Sequence, residues 1–437
     1  MIMKKLLIRE NFHRFFIILF FFTIATTICK HNIWLTILCC PLIAVVISEY
    51  GLRIFFSVTN DIFLSWPPNV QIINRIAPGV ISEDKCDSRF YTNSAGIRGE
   101  EFSDDQQYRI LAIGGSVTIS YYIDQKKTWT YILQDKLNHL EILNVWVGST
   151  GTGGLCTREH IMHMRHLLPQ YPAIDTVIVL AGCSDLLRRL IDDNKYDPNF
   201  LTHYDYWYGR LSRGAFYEIP YHSKKFRIKT GHLGETAIAH FIQAAKSFYF
   251  RKREEHQDNV GGMLIDFRER RKNAVMKNKL PDLSSALEEY ALNLNAMIDI
   301  AEARSIRLIL MTHPFLWGPN LTQEEKELLW CGWIEGMKSG RCYSNEALMD
   351  GMNRYNDKLL EVSQLRGVES IDLAKALPRN KSVFYDDVHF NVEGSERAAT
   401  VISDYLARRE PFLKNSFCLS STKLTLRRNT EILALQI

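Results

Sequence analysis

Five short apolar runs constrain the fold of this chain more than any other feature. They lie near Tyr108–Ile113, Ile142–Val147, Thr176–Ala181, Arg307–Thr312 and Val368–Asp372. Each run is continuous rather than alternating, and a strand that is apolar on both faces has to be covered on both faces. Stretches of helical period separate the runs, near Thr128–Leu137, Thr157–Leu168, Ser285–Ala303 and Glu346–Arg366, with a last one near Ser395–Arg408. Strands alternating with helices predict an α/β fold, a doubly wound three-layer sandwich around about five parallel strands. The helix at 285 carries the clearest signature. Ser285 and Glu288 have capping-box spacing, and Leu287, Tyr290, Ala291, Leu294, Met297, Ile298 and Ala301 recur on one face.

The expected organisation is an N-terminal anchor over 1–56, a connector and lead-in over 57–107, the α/β domain over 108–410 with an insertion at about 190–282, and a tail over 411–437. Phe15–Cys29 and Ile33–Ile47 are apolar runs broken by Lys30-His31-Asn32. Each is shorter than the ~20 residues of a comfortable crossing, and together they exceed one straight span, so a hairpin or a kinked anchor of membrane helices follows. Lys4, Lys5, Arg9 and Arg14 precede the first run and put the N-terminus in the cytoplasm. No small-x-small cleavage pattern closes that run, which favours a retained anchor. A hairpin returns the α/β domain to the cytoplasm and a single crossing exports it; both stay open.

The lead-in is turn-rich at Pro67-Pro68, Pro78-Gly79 and Asn93–Gly99. The insertion begins aromatic, from Phe200 to Tyr221, and turns basic, with fourteen Lys and Arg against six Asp and Glu between Lys224 and Lys279. It reads either as a lid or a membrane- or polyanion-facing arm over the strand ends, or as a solvated excursion. Net charge is only +4, which gives no ground for a nucleic-acid partner. Nine cysteines without a Cys-x-x-Cys pair form no metal or disulfide framework, although Cys331 and Cys342 either pair across a loop or stay free.

Four strand ends carry residues suited to chemistry. The run at 108 ends in Gly114-Gly115-Ser116, which places a serine at the carboxyl end of a strand, where ligands bind in open α/β sheets. Ser116 is the candidate nucleophile; the alternative is that it only caps a helix. Asn144–Thr157 runs into a loop with four glycines, whose N–H groups can converge on an oxyanion. Its spacing does not fit Gly-x-Gly-x-x-Gly, which disfavours a nucleotide-binding module. Val179–Asp185 is a third such end. Near the C-terminus, Asp386 and His389 are three apart. In a tight turn that spacing lets the carboxylate hold the imidazole's Nδ1 proton and frees Nε2 to deprotonate a serine. Asp387 is the alternative orienter, though as the immediate neighbour it is expected to point elsewhere. His313 and Trp317, after the fourth run, are expected to line the site or its wall.

These blocks, in this order, resemble those of the SGNH or GDSL hydrolase superfamily. Gly114-Gly115-Ser116 is similar to Gly-Asp-Ser, with Gly115 where the family has aspartate. The Gly151–Gly154 loop resembles the second block, with Gly154 the preferred match and Gly151 the alternative. Gly182-Cys183-Ser184-Asp185 resembles Gly-x-Asn-Asp, and Asp386-Asp387-Val388-His389 matches Asp-x-x-His. The lead-in Asn93–Gly99 and Thr128-Trp129 look like text from membrane-anchored bacterial members. The resemblance covers roughly 90–190 and 285–408.

It implies a flavodoxin-like sandwich that hydrolyses or transfers acyl groups on oxygen without metal or cofactor; the aromatic and basic insertion, outside the resemblance, suits an acylated glycan or lipid-type ester as substrate. Ser116 would be the nucleophile, His389 the base, and Asp386 its orienter. The oxyanion would be held by the N–H groups of Ser116 and Gly154 and by the side chain at 184. Ser184 stands where the family has asparagine, and its hydroxyl reaches less far. Together with Gly115 it favours the alternative, a membrane-tethered protein of this fold that binds a glycan or lipid headgroup and has lost efficient catalysis.

Overall fold

A computed structural model describes residues 63–81, 87–199 and 255–413, with 41, 44–49, 51–52, 215 and 238 in addition. The chain divides into two compact units, 1–63 with 218–252 and 64–217 with 253–437. Of the first unit, 44–49 and 51–52 are helical. The expected anchor over Phe15–Cys29, the aromatic part of the insertion beyond Asn199, and the tail beyond Leu413 lie outside the described residues. Among the described residues no helix is long and apolar enough to cross a membrane.

The described strands of the second unit are β1 (Gln71–Ile76), β2 (Asp87–Tyr91), β3 (Tyr108–Gly114), β4 (Val145–Ser149), β5 (Thr176–Leu180), β6 (Glu255–Val260), β7 (Val275–Lys277), β8 (Arg307–Met311), β9 (Arg341–Tyr343) and β10 (Glu369–Ile371). Its α-helices are α1 (Ser116–Ile119), α2 (Trp129–Asn138), α3 (Thr157–His166), α4 (Cys183–Asp192), α5 (Gly262–Lys272), α6 (Ser284–Ala303), α7 (Gln323–Glu327), α8 (Asn345–Arg366), α9 (Leu373–Ala376) and α10 (Val392–Ala407).

The five apolar runs form one parallel sheet in the order β10-β8-β5-β3-β4. Every residue of β3, β4 and β5 is buried, as expected for strands covered on both faces. The chain enters this sheet at β3, next to one edge, moves out to the edge strand β4, then crosses back to the central β5 before continuing to β8 and β10. Because such crossovers are right-handed, this reversal sends α3, α4, α6 and α8 to the face opposite α2. Two helix groups result: α2 packs on α10, whereas α3, α4, α6 and α8 pack among themselves. The reversal also leaves a crevice at the carboxyl ends of β3 and β5, the switch point at which this strand order binds ligands.

The helix ends show where local sequence prevails. Thr128, Ser344 and Asn391 each accept a first-turn N–H, at the starts of α2, α8 and α10, and Gly367 closes α8 in the left-handed region at φ 63°. The expected Ser285–Glu288 capping box does not form. Helix α6 begins one residue earlier, and Asp282 Oδ1 instead accepts from Ser284 N (3.0 Å) and Oγ (2.7 Å), so Ser285 is already inside the helix.

A second sheet has no counterpart in the apolar pattern. β1 pairs antiparallel with β2 and parallel with β6, in the order β2-β1-β6. The lead-in expected as connector therefore contains two strands, and residues expected inside the insertion supply the third. β6 is Glu-His-Gln-Asp-Asn-Val, without an apolar residue before its last position. β7 and β9 pair as a separate parallel ribbon. Helix α4, directly after the third block, is likewise absent from the expected elements. Cys331 and Cys342 are buried free thiols, so the pairing considered for them does not form.

Candidate active site

The reacting end of β3 is shaped by close packing. A Cβ on Gly114 would run into the Thr118 side chain and the Leu180 carbonyl, so only glycine lets the chain turn between β3 and β5. Gly115 caps the four-residue α1, Ser116 is its first residue, and Ser120 ends it in the left-handed region at φ 50°. Ser116 is thus part of a tight turn rather than its cap, and its side chain faces the crevice.

Residues 384–390 form a loop closed by a bridge between Phe384 and Phe390 and by the Tyr385 N–H to His389 carbonyl bond (3.1 Å). Inside it, Asp386 is fully buried and accepts from the backbone N–H groups of Val388 (3.0 Å) and His389 (2.8 Å) through Oδ1. The His389 Nδ1 lies 2.7 Å from Oδ2 and 2.9 Å from Oδ1, and its Nε2 lies 2.7 Å from Ser116 Oγ. With the proton on Nδ1, Nε2 accepts from the serine hydroxyl. The three residues read from separate parts of the sequence are therefore in one hydrogen-bonded line.

Electrostatics follow this geometry. Burial works against the charge on the His389 ring, but the Asp386 carboxylate outweighs it and holds the imidazole above its ordinary value. Burial likewise opposes the charge on Asp386, while His389 and the two backbone donors keep it below the usual carboxylate range. Asp387 does point elsewhere. Its carboxylate accepts from Trp317 Nε1 (2.7 Å), Trp330 N (2.7 Å) and Cys331 N (3.2 Å), and burial pushes it up. Trp317 accordingly sits behind the site, fully buried, not in its wall.

A cavity of about 120 Å³ opens beside Ser116, lined among others by Gly154, Ser184, His313, Trp330 and His389. Gly154 has φ 77° and open space around its Cα, whereas the alternative Gly151 is packed against α1 and its N–H donates to Ser149 Oγ (3.2 Å). Ser184 lies in the first turn of α4, and its Oγ would be 3.3 Å from a Cβ on Gly115. The two departures from the family pattern thus face each other. Asp185, next in the third block, is buried and ties α4 to α3 by accepting from Thr157 N (3.1 Å) and Oγ1 (2.5 Å); burial raises its carboxyl to about 6.

Two neighbours escaped the sequence reading. Trp330 donates Nε1–H to Asp386 Oδ2 (3.0 Å) while forming part of the cavity wall. It lies in a loop remote from every block, so no local signal marks it. Arg98, in the Asn93–Gly99 stretch, is 1 % exposed. It donates to the carbonyls of Ile119, Ser120 (2.8 Å) and Ile123 (2.7 Å), and to Gln125 Oε1 (2.9 Å). Its backbone also pairs with Ser149 in both directions (2.9 Å each), and Trp66 Nε1 donates to the Gly151 carbonyl (2.8 Å). The lead-in therefore grips both the serine turn and the glycine loop. Burial without a carboxylate in contact brings the Arg98 guanidinium down to about 9.

No family model matches this sequence, and no curated protein matches it either. Solved structures do. A lipolytic protein of the G-D-S-L family from Veillonella parvula is similar over 69% of this chain and 100% of its own, at 11% identity and a TM-score of 0.36. A lipase/acylhydrolase from Enterococcus faecalis is similar over 69% of this chain and 96% of its own, at 14% identity and TM-score 0.36. A psychrotrophic esterase from Pseudoalteromonas sp. is similar over 69% and 97%, at 10% identity and TM-score 0.34. At that distance what these proteins do is not carried over to this chain.

Proposed function

We propose that this chain is a serine ester hydrolase or O-acyltransferase, with Ser116 as nucleophile, His389 as base and acid, and Asp386 as orienter. The observation that supports it most is the 2.7 Å approach of His389 Nε2 to Ser116 Oγ, with Nδ1 held on a buried carboxylate. In the first step Ser116 Oγ bonds to the ester carbonyl carbon and its proton passes to Nε2. The C–O bond to the alcohol then breaks, and Nε2 returns that proton to the leaving oxygen. Water, or a second hydroxyl in a transferase, repeats the sequence in reverse and frees the serine.

The developing oxyanion needs donors. Among the described residues the N–H groups of Ser116 and Gly154 are engaged by no other protein group, and the Ser184 hydroxyl faces the same cavity. The N-terminal turn of α4 adds its positive end there, which offsets part of what a serine lacks beside an asparagine. An acylated glycan or a lipid-type ester is the substrate class, and residues 1–56 tether the domain to a membrane. Retention of the chain in membranes through alkaline carbonate washing tests the tether.

A serine-directed fluorophosphonate probe tests the chemistry. The folded chain is expected to be labelled at Ser116, with labelling lost in His389→Ala. Ser184→Ala is expected to keep the label and to lower turnover by about 10²-fold, the usual scale for one oxyanion donor. Absence of label on folded protein sinks the hydrolase reading and leaves a binding protein of the same fold.

A further inference from the structure

Trp330 touches both the cavity and the triad, and no step of the reaction proposed above uses it. Its half-buried ring forms part of the cavity wall. Its Nε1–H donates to Asp386 Oδ2 (3.0 Å), the same oxygen that lies 2.7 Å from His389 Nδ1. Asp386 is fully buried, and its other oxygen takes the backbone N–H groups of Val388 and His389. Among the described residues the indole is the one donor to this carboxylate from outside the 384–390 loop.

The backbone that carries the indole is fixed to the same loop. Asp387 Oδ2 accepts from Trp330 N (2.7 Å) and Cys331 N (3.2 Å), and the Trp330 carbonyl accepts from Trp333 Nε1 (2.6 Å). Helix α5 holds the two loops together. Arg268 donates to the carbonyls of Leu328 (3.1 Å) and Tyr385 (2.8 Å), and Arg271 to that of Cys331 (2.6 Å). The side chain and the backbone of one residue thus bond two successive carboxylates of the loop that carries His389.

We propose that Trp330 is a positioning residue of the triad, whose indole N–H fixes the plane of the Asp386 carboxylate and shares Oδ2 with the imidazole. The inference rests on the serine-hydrolase reading and adds to it a residue that acts through Asp386. A donor to a carboxylate binds most strongly when that carboxylate carries its full charge uncompensated, which is when the imidazole is neutral. Trp330 therefore opposes part of the pull of Asp386 on the His389 proton, and its loss should raise the His389 pKa. The sign is opposite to that expected for loss of Asp386 itself.

Other titratable and charged groups face the pair. On the same loop are Asp387 and Tyr385, whose ring stacks on the imidazole (5.6 Å). Tyr122 follows α1, Cys183 opens α4, Cys331 follows Trp330, His313 follows β8, and Arg268 and Arg271 come from α5. Burial pushes both phenols and both thiols up, away from an acid limb, and brings His313 down to about 4. Asp387 keeps its partners when the side chain at 330 changes, since they are two backbone N–H groups and Trp317.

The pH dependence of the second-order rate of fluorophosphonate labelling at Ser116 in the full chain tests this, and it requires no choice of ester. The acid limb of Trp330→Phe is expected about half a pH unit above that of the parent. Replacement of Trp330 by benzothienylalanine, which keeps the shape of the ring and has sulfur in place of N–H, is expected to give the same shift with the cavity wall intact. A limb unmoved or lowered in either folded variant overturns the inference, because a residue that only packs leaves the limb in place. In the parent labelled with nitrogen-15 at its eight indoles, at least one indole N–H signal should follow the limb; none doing so overturns the inference without any variant. Label present with an unmoved limb overturns the inference alone, and label absent from the folded parent overturns the hydrolase reading and the inference together.

Discussion

The two larger sheets of the second unit are built from opposite kinds of sequence. β3, β4 and β5 are buried along their whole length and come from continuous apolar runs. β1 alternates exposed and buried positions, β6 is polar and largely exposed, and the two are joined across some two-fifths of the chain, as in the pairing of Ile72 with Glu255. The large sheet presents Ser116 and Ser184 at the ends of β3 and β5, where the 384–390 loop brings His389 to Ser116. The lead-in that forms the small sheet carries Arg98 and Trp66, which hold the backbone around them. A sheet that owes its stability to burial can present a strained turn at its rim only if something else fixes that turn, and here a polar module does so.

The contrast predicts different failures on the two sides. Ser116→Ala should reduce turnover by about 10⁴-fold or more while leaving the thermal midpoint close to that of the parent, because the hydroxyl is reactive rather than structural. Esterase assays beside circular-dichroism melting check this, and substantial residual turnover would break the division of labour.

Arg98→Met should do the reverse. Leaving the carbonyls of Ile119, Ser120 and Ile123 without their donor should cost on the order of 3 kcal/mol in urea unfolding. In the fraction still folded, kcat should fall more than KM rises, since the serine turn loses its place. An Arg98→Met chain as stable as the parent would mean the lead-in grips nothing of consequence.

The smallest effect is on pH. His389 accepts the serine proton only when neutral, and Asp386 raises its pKa, so activity should fall on the acid side with an inflection above the ordinary 6.5. Asp386→Asn removes the carboxylate and should move that inflection down while lowering kcat. A limb unmoved by Asp386→Asn would place the titrating group elsewhere.

Much of the large sheet was legible because its strands and helices are specified within their own segments. The runs at Tyr108, Thr176 and Arg307 begin where the strands begin, and Thr128 caps the helix it precedes. The candidate residues were legible for a related reason: glycines, a serine and an Asp-x-x-His spacing mark strand ends and a tight loop whatever lies around them. Trp330 was illegible, since its value comes only from meeting Asp386 across fifty-six positions. So was β6, whose polar residues are a strand only because β1 is there to pair with them.

By itself the sequence determined the α/β class, the strands of the parallel sheet, and Ser116, Asp386 and His389 as the residues to watch, because each is written in local periodicity or local spacing. Only the tertiary structure decided that the lead-in folds into a second sheet, that the Asp387 carboxylate holds the backbone at Trp330 and Cys331, and that Trp330 reaches Asp386. Those outcomes depend on which groups are buried together and which hydrogen bonds remain to be made there, and burial is a property of the assembled chain.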